Sequence, residues 1–239
     1  MHQPSVAPGE RVYAVSGIHG CIELLGRLVA RIRDDNGRRP SRRTKLLFLG
    51  GLIDRGPHSA DVVAHLRQLT QQTSKLIVLK GSDEQMMVQA LAGDLDILEA
   101  WLCRGGDAAL RSWGLERAIV DGPLPDLLNS ARSAIDRDLI RWLDDLPLHH
   151  RSGDYFFVHA GVRPGVSLDE QREEDLLWIG EEFLDHEDDH EAVIVHGQSA
   201  TDSEPDMLHH RIGLPTGGYW SGTLSAVGLE GAQRWVVTT

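Results

Sequence analysis

Apolar positions in the first third of the chain fall in short bursts separated by glycines, and each burst is followed by a stretch with helical spacing. Arg11–Val15 (RVYAV) is β-branched and aromatic, ends at Ser16-Gly17, and leads into Ile22–Ile32, whose apolar residues recur every three or four positions. The pattern repeats with Lys45–Leu49 (KLLFL), Gly50-Gly51 and a helix over Ala60–Leu69. It returns with Lys75–Leu79 (KLIVL), Gly81 and a helix over Glu84–Leu91. Strand, glycine loop and helix in succession predict an α/β sheet, and such sheets place ligand sites at the loops that follow their strands.

The middle of the chain, from about Asp94 to His150, reads as helical, with Trp101, Leu102, Leu110 and Trp113 on one apolar face and Ile135–Leu146 as a second amphipathic segment. Trp101, Trp113, Trp142 and Trp178 are expected to pack this region rather than stack bases, because no basic residues interleave them. Strands are then predicted at Tyr155–His159, Ala192–His196, Gly222–Leu229 and Arg234–Val237. The last two alternate well, which suits an antiparallel, half-exposed sheet. The charge run Asp185–Glu191 (DHEDDHE) reads as a solvated loop or helix start. No repeat or linker interrupts the pattern, so a single domain is expected over 11–239, behind a disordered or extended tail at 1–10.

Composition narrows the function classes. The chain has 239 residues, 41% hydrophobic and 25% charged, which suits a globular core. With 24 basic against 36 acidic residues the formal net charge is −12, a poor surface for general nucleic-acid binding. Cys21 and Cys103 are too few for a disulfide framework. No apolar run approaches the roughly 20 residues of a membrane span, and MHQPSVAPGE has no apolar export signal. A cytoplasmic protein away from membranes is expected; the oligomeric state stays open.

The glycine loops carry the chemistry. They are Ser16-Gly17-Ile18-His19-Gly20, Gly50-Gly51-Leu52-Ile53-Asp54-Arg55-Gly56, Lys80-Gly81-Ser82-Asp83-Glu84, Val158-His159-Ala160-Gly161 and Val195-His196-Gly197-Gln198-Ser199. In order and spacing, from Tyr13 to about Gly222, they resemble the calcineurin-like metallophosphoesterases. The nearest branch is that of the bacterial phosphoprotein phosphatases and diadenosine tetraphosphate hydrolases. Gly105-Gly106 and Leu177-Trp178-Ile179 belong to the same likeness. The resemblance implies two packed mixed β-sheets flanked by helices, an αββα sandwich.

It also implies a pair of divalent ions such as Mn, Fe, Zn or Ni, a bridging carboxylate, a histidine that protonates the leaving oxygen, and an arginine that clamps the phosphate. Against that pattern His19 and His159 keep their identity as metal ligands, whereas Gly17, Gly51, Ser82 and Gln198 stand at the other ligand positions. Asp83 occupies the place of the catalytic histidine, where a carboxylate would repel phosphate. Gly180 and Pro215 replace an arginine and an aspartate common in the branch. Asp54 and Arg55 are retained, with Arg55 a phosphate clamp or an internal ion-pair partner. Arg163 is a second candidate for phosphate.

The expectation is therefore a pseudophosphatase that binds a protein or phosphorylated ligand, with no metal or one weakly bound. The alternative is a weak phosphoesterase with a rearranged single-metal site from His19, Asp54, Asp83, His159 and His196. His186, His190, His196, His209 and His210 are expected at the surface, and Asp83 as a solvated carboxylate at a helix N-terminus. Cys21 is not expected to be a nucleophile.

Overall fold

The structure, a computed structural model, describes residues 3–200 and 205–239, except for the side chains of 198–200. The first sheet has the order β10-β9-β1-β2-β3 and is built from β1 (Glu10–Val15), β2 (Arg43–Phe48), β3 (Leu76–Val78), β9 (Ser225–Glu230) and β10 (Gln233–Thr238). The second has the order β4-β5-β6-β8-β7, from β4 (His149–Ser152), β5 (Tyr155–Val158), β6 (Val193–Ala200), β7 (Asp206–Met207) and β8 (Arg211–Pro215). β1, β2 and β3 pair in parallel while β9 and β10 are antiparallel, so the sheet is mixed.

Alternation decides the layers. Val12 and Ala14 of β1 face Tyr155, Phe157 and Val195 of the second sheet across a dry interface. Tyr13 and Val15 point the other way, into a core formed with α1 (Ile22–Arg38), α2 (Ser59–Gln72), α3 (Ser82–Ala92) and α4 (Leu95–Trp101). The same helical layer continues through α5 (Asp107–Ser112), α6 (Arg117–Val120), α7 (Leu124–Ala134) and α8 (Arg137–Asp144). On the far side of the second sheet, Phe156, Val158 and Ile194 pack under α9 (Glu173–Trp178) and α10 (Glu181–Leu184). Because β1 is buried on both faces, all its residues are inaccessible, as a central strand requires. The result is the αββα sandwich that the resemblance implies.

Some boundaries differ from the sequence pattern. Gly222 adopts φ +73° and closes a short helix, α11 (Gly218–Ser221), so β9 starts only at Ser225. β4, β7 and β8 carry no strong alternation and were not expected as strands; pairing to β5 and β6 recruits β4 and β8. The backbone N–H of Ser5 donates to Asp154 and Val6 is buried between the sheets, so residues 3–9 lie against the fold. Among the described residues, no helix is long and apolar enough to cross a membrane.

Candidate functional site

The loops that follow β1, β2, β3 and β5 meet the segment after β8 at one end of the sheets. Backbone bonds zip the first two together: His19 N–H donates to Gly51 C=O at 2.9 Å and Gly20 N–H to Leu52 C=O at 2.8 Å. Their meeting encloses a cleft of about 320 Å³ lined by Ser16, Gly17, His19, Gly51, Arg55, Ser82, Asp83, Arg104, His159, Thr216, Gly217, Tyr219 and Trp220. The three non-glycine residues with left-handed backbone are His19, Asp54 and Arg55, with φ of 43°, 74° and 62° among the described residues. Such strain costs about 1–3 kcal/mol each and collects where loops are held for function.

Arg55 is the centre of the cleft. Its Nη1 lies 2.9 Å from Asp83 Oδ2 and 2.8 Å from His19 Nδ1, so one guanidinium is wedged between the two side chains. Burial works against the Arg55 charge, yet the Asp83 carboxylate holds its pKa above the ordinary value. Asp83 is buried rather than solvated, which corrects the expectation of an exposed helix N-terminus. Burial, opposed by Asp83 and assisted by Arg55, brings the His19 pKa down to about 4, so the ring is neutral at pH 7.

Two further carboxylates build the walls. Glu84 is fully buried and accepts from the backbone N–H groups of Gly51, Leu52, Ile53 and Gly81, tying the loop after β2 to the start of α3. Burial, then the neighbouring Asp83, raises its pKa to about 7 despite those donors. Asp54 is buried beneath the cleft, where Trp101 Nε1 donates to both its oxygens at 3.0 Å. Burial, then Asp83 and Glu84, pushes the Asp54 pKa well up. Trp101 thus packs the helical core and also satisfies a polar group of the site.

The donors present do not fit a two-metal centre. His159 lies with Nδ1 2.7 Å from the Leu49 carbonyl, to which it donates, so its Nε2 lone pair accepts from the Ser82 hydroxyl at 3.1 Å. For His19, Nδ1 lies 3.0 Å from the Ile53 carbonyl, which can only accept, so Nδ1 carries the hydrogen and the Nε2 lone pair is left 3.4 Å from Arg55 Nη1. Gly51 has room for a Cβ, whose nearest neighbour would be His19 Cε1 at 3.4 Å. Gly17 has none, since a Cβ there would lie 2.3 Å from Thr216 Cα. The space of the first aspartate has been filled by backbone. Among the described residues, no group of three or more His, Cys, Asp or Glu side chains is arranged to hold a metal ion.

Residues 10–227 match the model of the calcineurin-like phosphoesterase family. The chain belongs to that family. Over 190 residues the chain is 34% identical to a symmetrical bis(5'-nucleosyl)-tetraphosphatase of Acidovorax ebreus, covering 77% of the chain and 51% of that protein. It is 35% identical over 96 residues to serine/threonine-protein phosphatase 1 of Salmonella typhimurium, covering 40% and 39% of the two chains. It spans about half the length, or less, of these curated relatives. A solved structure of a putative diadenosine tetraphosphatase superposes with a TM-score of 0.66 at 20% identity, covering 99% of this chain and 98% of that one. A cold-active protein tyrosine phosphatase gives 0.60 at 16% identity over 97% and 81% of the chains, again a likeness of fold.

In this chain His19, Arg55, Ser82, Asp83 and His159 meet at the cleft with Gly17 and Gly51, and Asp54 lies behind them. Arg163 does not join them. Its guanidinium is bound by Asp175 and Glu182 at the outer layer, which leaves the expected role in phosphate binding without support from its position. The side chain of Gln198 lies outside the described residues. His196, expected at the surface, is instead fully buried beside Phe183, with neither ring nitrogen hydrogen-bonded among the described residues, and burial brings its pKa down to about 3. His190 and His210 are partly or wholly buried, not surface groups as expected. Sequence reasoning missed Ser16, Arg104, Thr216, Tyr219 and Trp220. Arg104, directly before Gly105-Gly106, and the Tyr219-Trp220 pair, directly after Gly217-Gly218, were signals that could have found them.

Proposed function

We propose that this chain handles phosphoric esters in the Arg55 cleft, as members of its family do. The observation that carries the reading is the Arg55 guanidinium at the floor of a cleft formed by the family's own motif loops. Kinship supports a phosphoesterase with weakened, rearranged chemistry better than a protein without turnover, because the relatives named above are phosphatases. The substrate class that kinship favours is a dinucleoside polyphosphate, with a phosphoprotein second. Geometry sets the limit on that chemistry. With Gly17 and Gly51 lacking carboxylates and both histidine lone pairs engaged, hydrolysis cannot follow the two-metal route of the family. A single divalent ion would have to displace Arg55 from His19 and Asp83.

The second reading is the pseudophosphatase, which binds a phosphorylated ligand and does not cleave it. The Asp83–Arg55 pair favours it, since a carboxylate committed to a guanidinium is a poor donor to a leaving oxygen. Purified protein assayed with diadenosine tetraphosphate, p-nitrophenyl phosphate and a phosphoserine peptide, with added Mn²⁺ and with EDTA, separates the two. Release of phosphate or ADP that an Asp83→Ala change alters supports a phosphoesterase. Binding without release supports the pseudophosphatase. Neither binding nor release overturns the cleft as the site.

A further inference from the structure

We infer that Arg55 has taken over the cationic role of a metal in this cleft, and that phosphoric esters bind here without any metal ion. This rests on the proposed function, since it assumes that the cleft takes such esters. An anion site needs positive charge, open donors and restricted access to water. Arg55 supplies the first two. Only its Nη1 is engaged, with Asp83 and His19, so Nε and Nη2 retain N–H donors without a partner among the described residues. Asp83 and His19 hold the group from behind, and the left-handed backbone at Arg55 fixes its stem. The backbone N–H of Arg55 donates to the Gly105 carbonyl at 3.1 Å, anchoring the same residue from the helical side.

Two other features of the cleft match a phosphoryl group. Arg104 lines the opening, and among the described residues it has no acidic partner, only the Trp178 ring 5.4 Å from its Cζ. Ser16 also lines the cleft, although its hydroxyl is buried against Gly197 and is not open to a ligand. Tyr219 lies 5.7 Å from Arg55 Cζ, walling the guanidinium off from solvent on one side. Among the charged side chains that line the cleft, Arg55 and Arg104 outnumber Asp83, while Asp54 and Glu84 lie buried behind it. No donor in this set depends on a metal to be positioned.

The test uses phenylphosphonate, a phosphate-ester analogue that cannot be hydrolysed at phosphorus, titrated calorimetrically into the full chain. One series contains EDTA and a second contains Mn²⁺. The expected result is the same affinity in both, with Arg55→Met weakening it by about tenfold or more and Arg104→Met by less. Because Arg55→Met strands a buried Asp83, the double variant Arg55→Met/Asp83→Asn is measured beside it, with folding checked by circular dichroism. Binding that disappears in EDTA overturns the inference and leaves the proposed function standing. Binding of unchanged strength in a folded Arg55→Met/Asp83→Asn protein also overturns it. Failure to bind under both conditions overturns the cleft as a phosphoric-ester site altogether.

Discussion

The two glycines that stand where the family carries aspartates are not equivalent, and a single added methyl group measures the difference. Both adopt φ +65°, so any L side chain at either position costs about 1 kcal/mol in backbone strain. Gly51→Ala meets nothing closer than His19 Cε1 at 3.4 Å, an ordinary contact, and adds little beyond that strain. Gly17→Ala drives its Cβ to 2.3 Å from Thr216 Cα and 2.9 Å from Thr216 C, which backbone cannot relieve by changing a rotamer. Displacing a packed segment costs about 1–3 kcal/mol more. For a chain of this size each 1 kcal/mol lowers Tm by about 2–4 °C. Thermal unfolding followed by circular dichroism should therefore show Gly51→Ala about 2–4 °C below the parent and Gly17→Ala roughly 4–15 °C below it. Equal losses, or a milder effect at Gly17, would show that the segment at Thr216 yields freely. The claim that backbone has closed the first aspartate position would then be wrong.

Other consequences are as direct. Trp101→Phe removes the one N–H that, among the described residues, donates to the buried Asp54 carboxylate and should cost about 1–3 kcal/mol, read as a fall in urea midpoint with unchanged m-value. An unchanged midpoint would show that Asp54 is satisfied otherwise. His196 is neutral and buried with its folded pKa depressed to about 3, below an unfolded value near 6.5. Its contribution is complete above pH 6.5 and is lost progressively as pH falls toward 3, at about 1.4 kcal/mol per pH unit in that window. His196→Phe should flatten the urea-stability profile between pH 6.5 and 4, and a profile as steep as the parent's would contradict the assignment. Arg163→Ala should leave phenylphosphonate affinity unchanged, because that guanidinium is bound by Asp175 and Glu182; a loss of affinity in a folded variant would return Arg163 to the site.

Most of the architecture was readable from local pattern. Arg11–Val15, Lys45–Leu49 and Lys75–Leu79 announce α/β strands because each is a short apolar run that ends near glycines and leads into a helix, and the three pair in parallel. β4 and β8 are strands through pairing with their neighbours and not through alternation, so their residues carry little local signal. At the site, the loops and the lost ligands were legible, but their consequences were not. Burial of Asp83 depends on α3 docking its first turn against the loop after β2, and the wedge of Arg55 depends on left-handed backbone at Asp54 and Arg55. Arg163 shows the opposite case. Its place in a family motif suggested phosphate, whereas Asp175 and Glu182 come from segments that only the fold brings beside it.

A guanidinium, not a metal pair, supplies the positive charge of this cleft. Manganese titrated into EDTA-stripped protein, with the free ion followed by its electron paramagnetic resonance signal, tests it most directly. The ion should stay free when metal and protein are present in equal amounts, and the Arg55→Met variant should free His19 and Asp83 to take up metal more strongly. Two ions bound tightly per chain, lost on His19→Ala and His159→Ala, would contradict it.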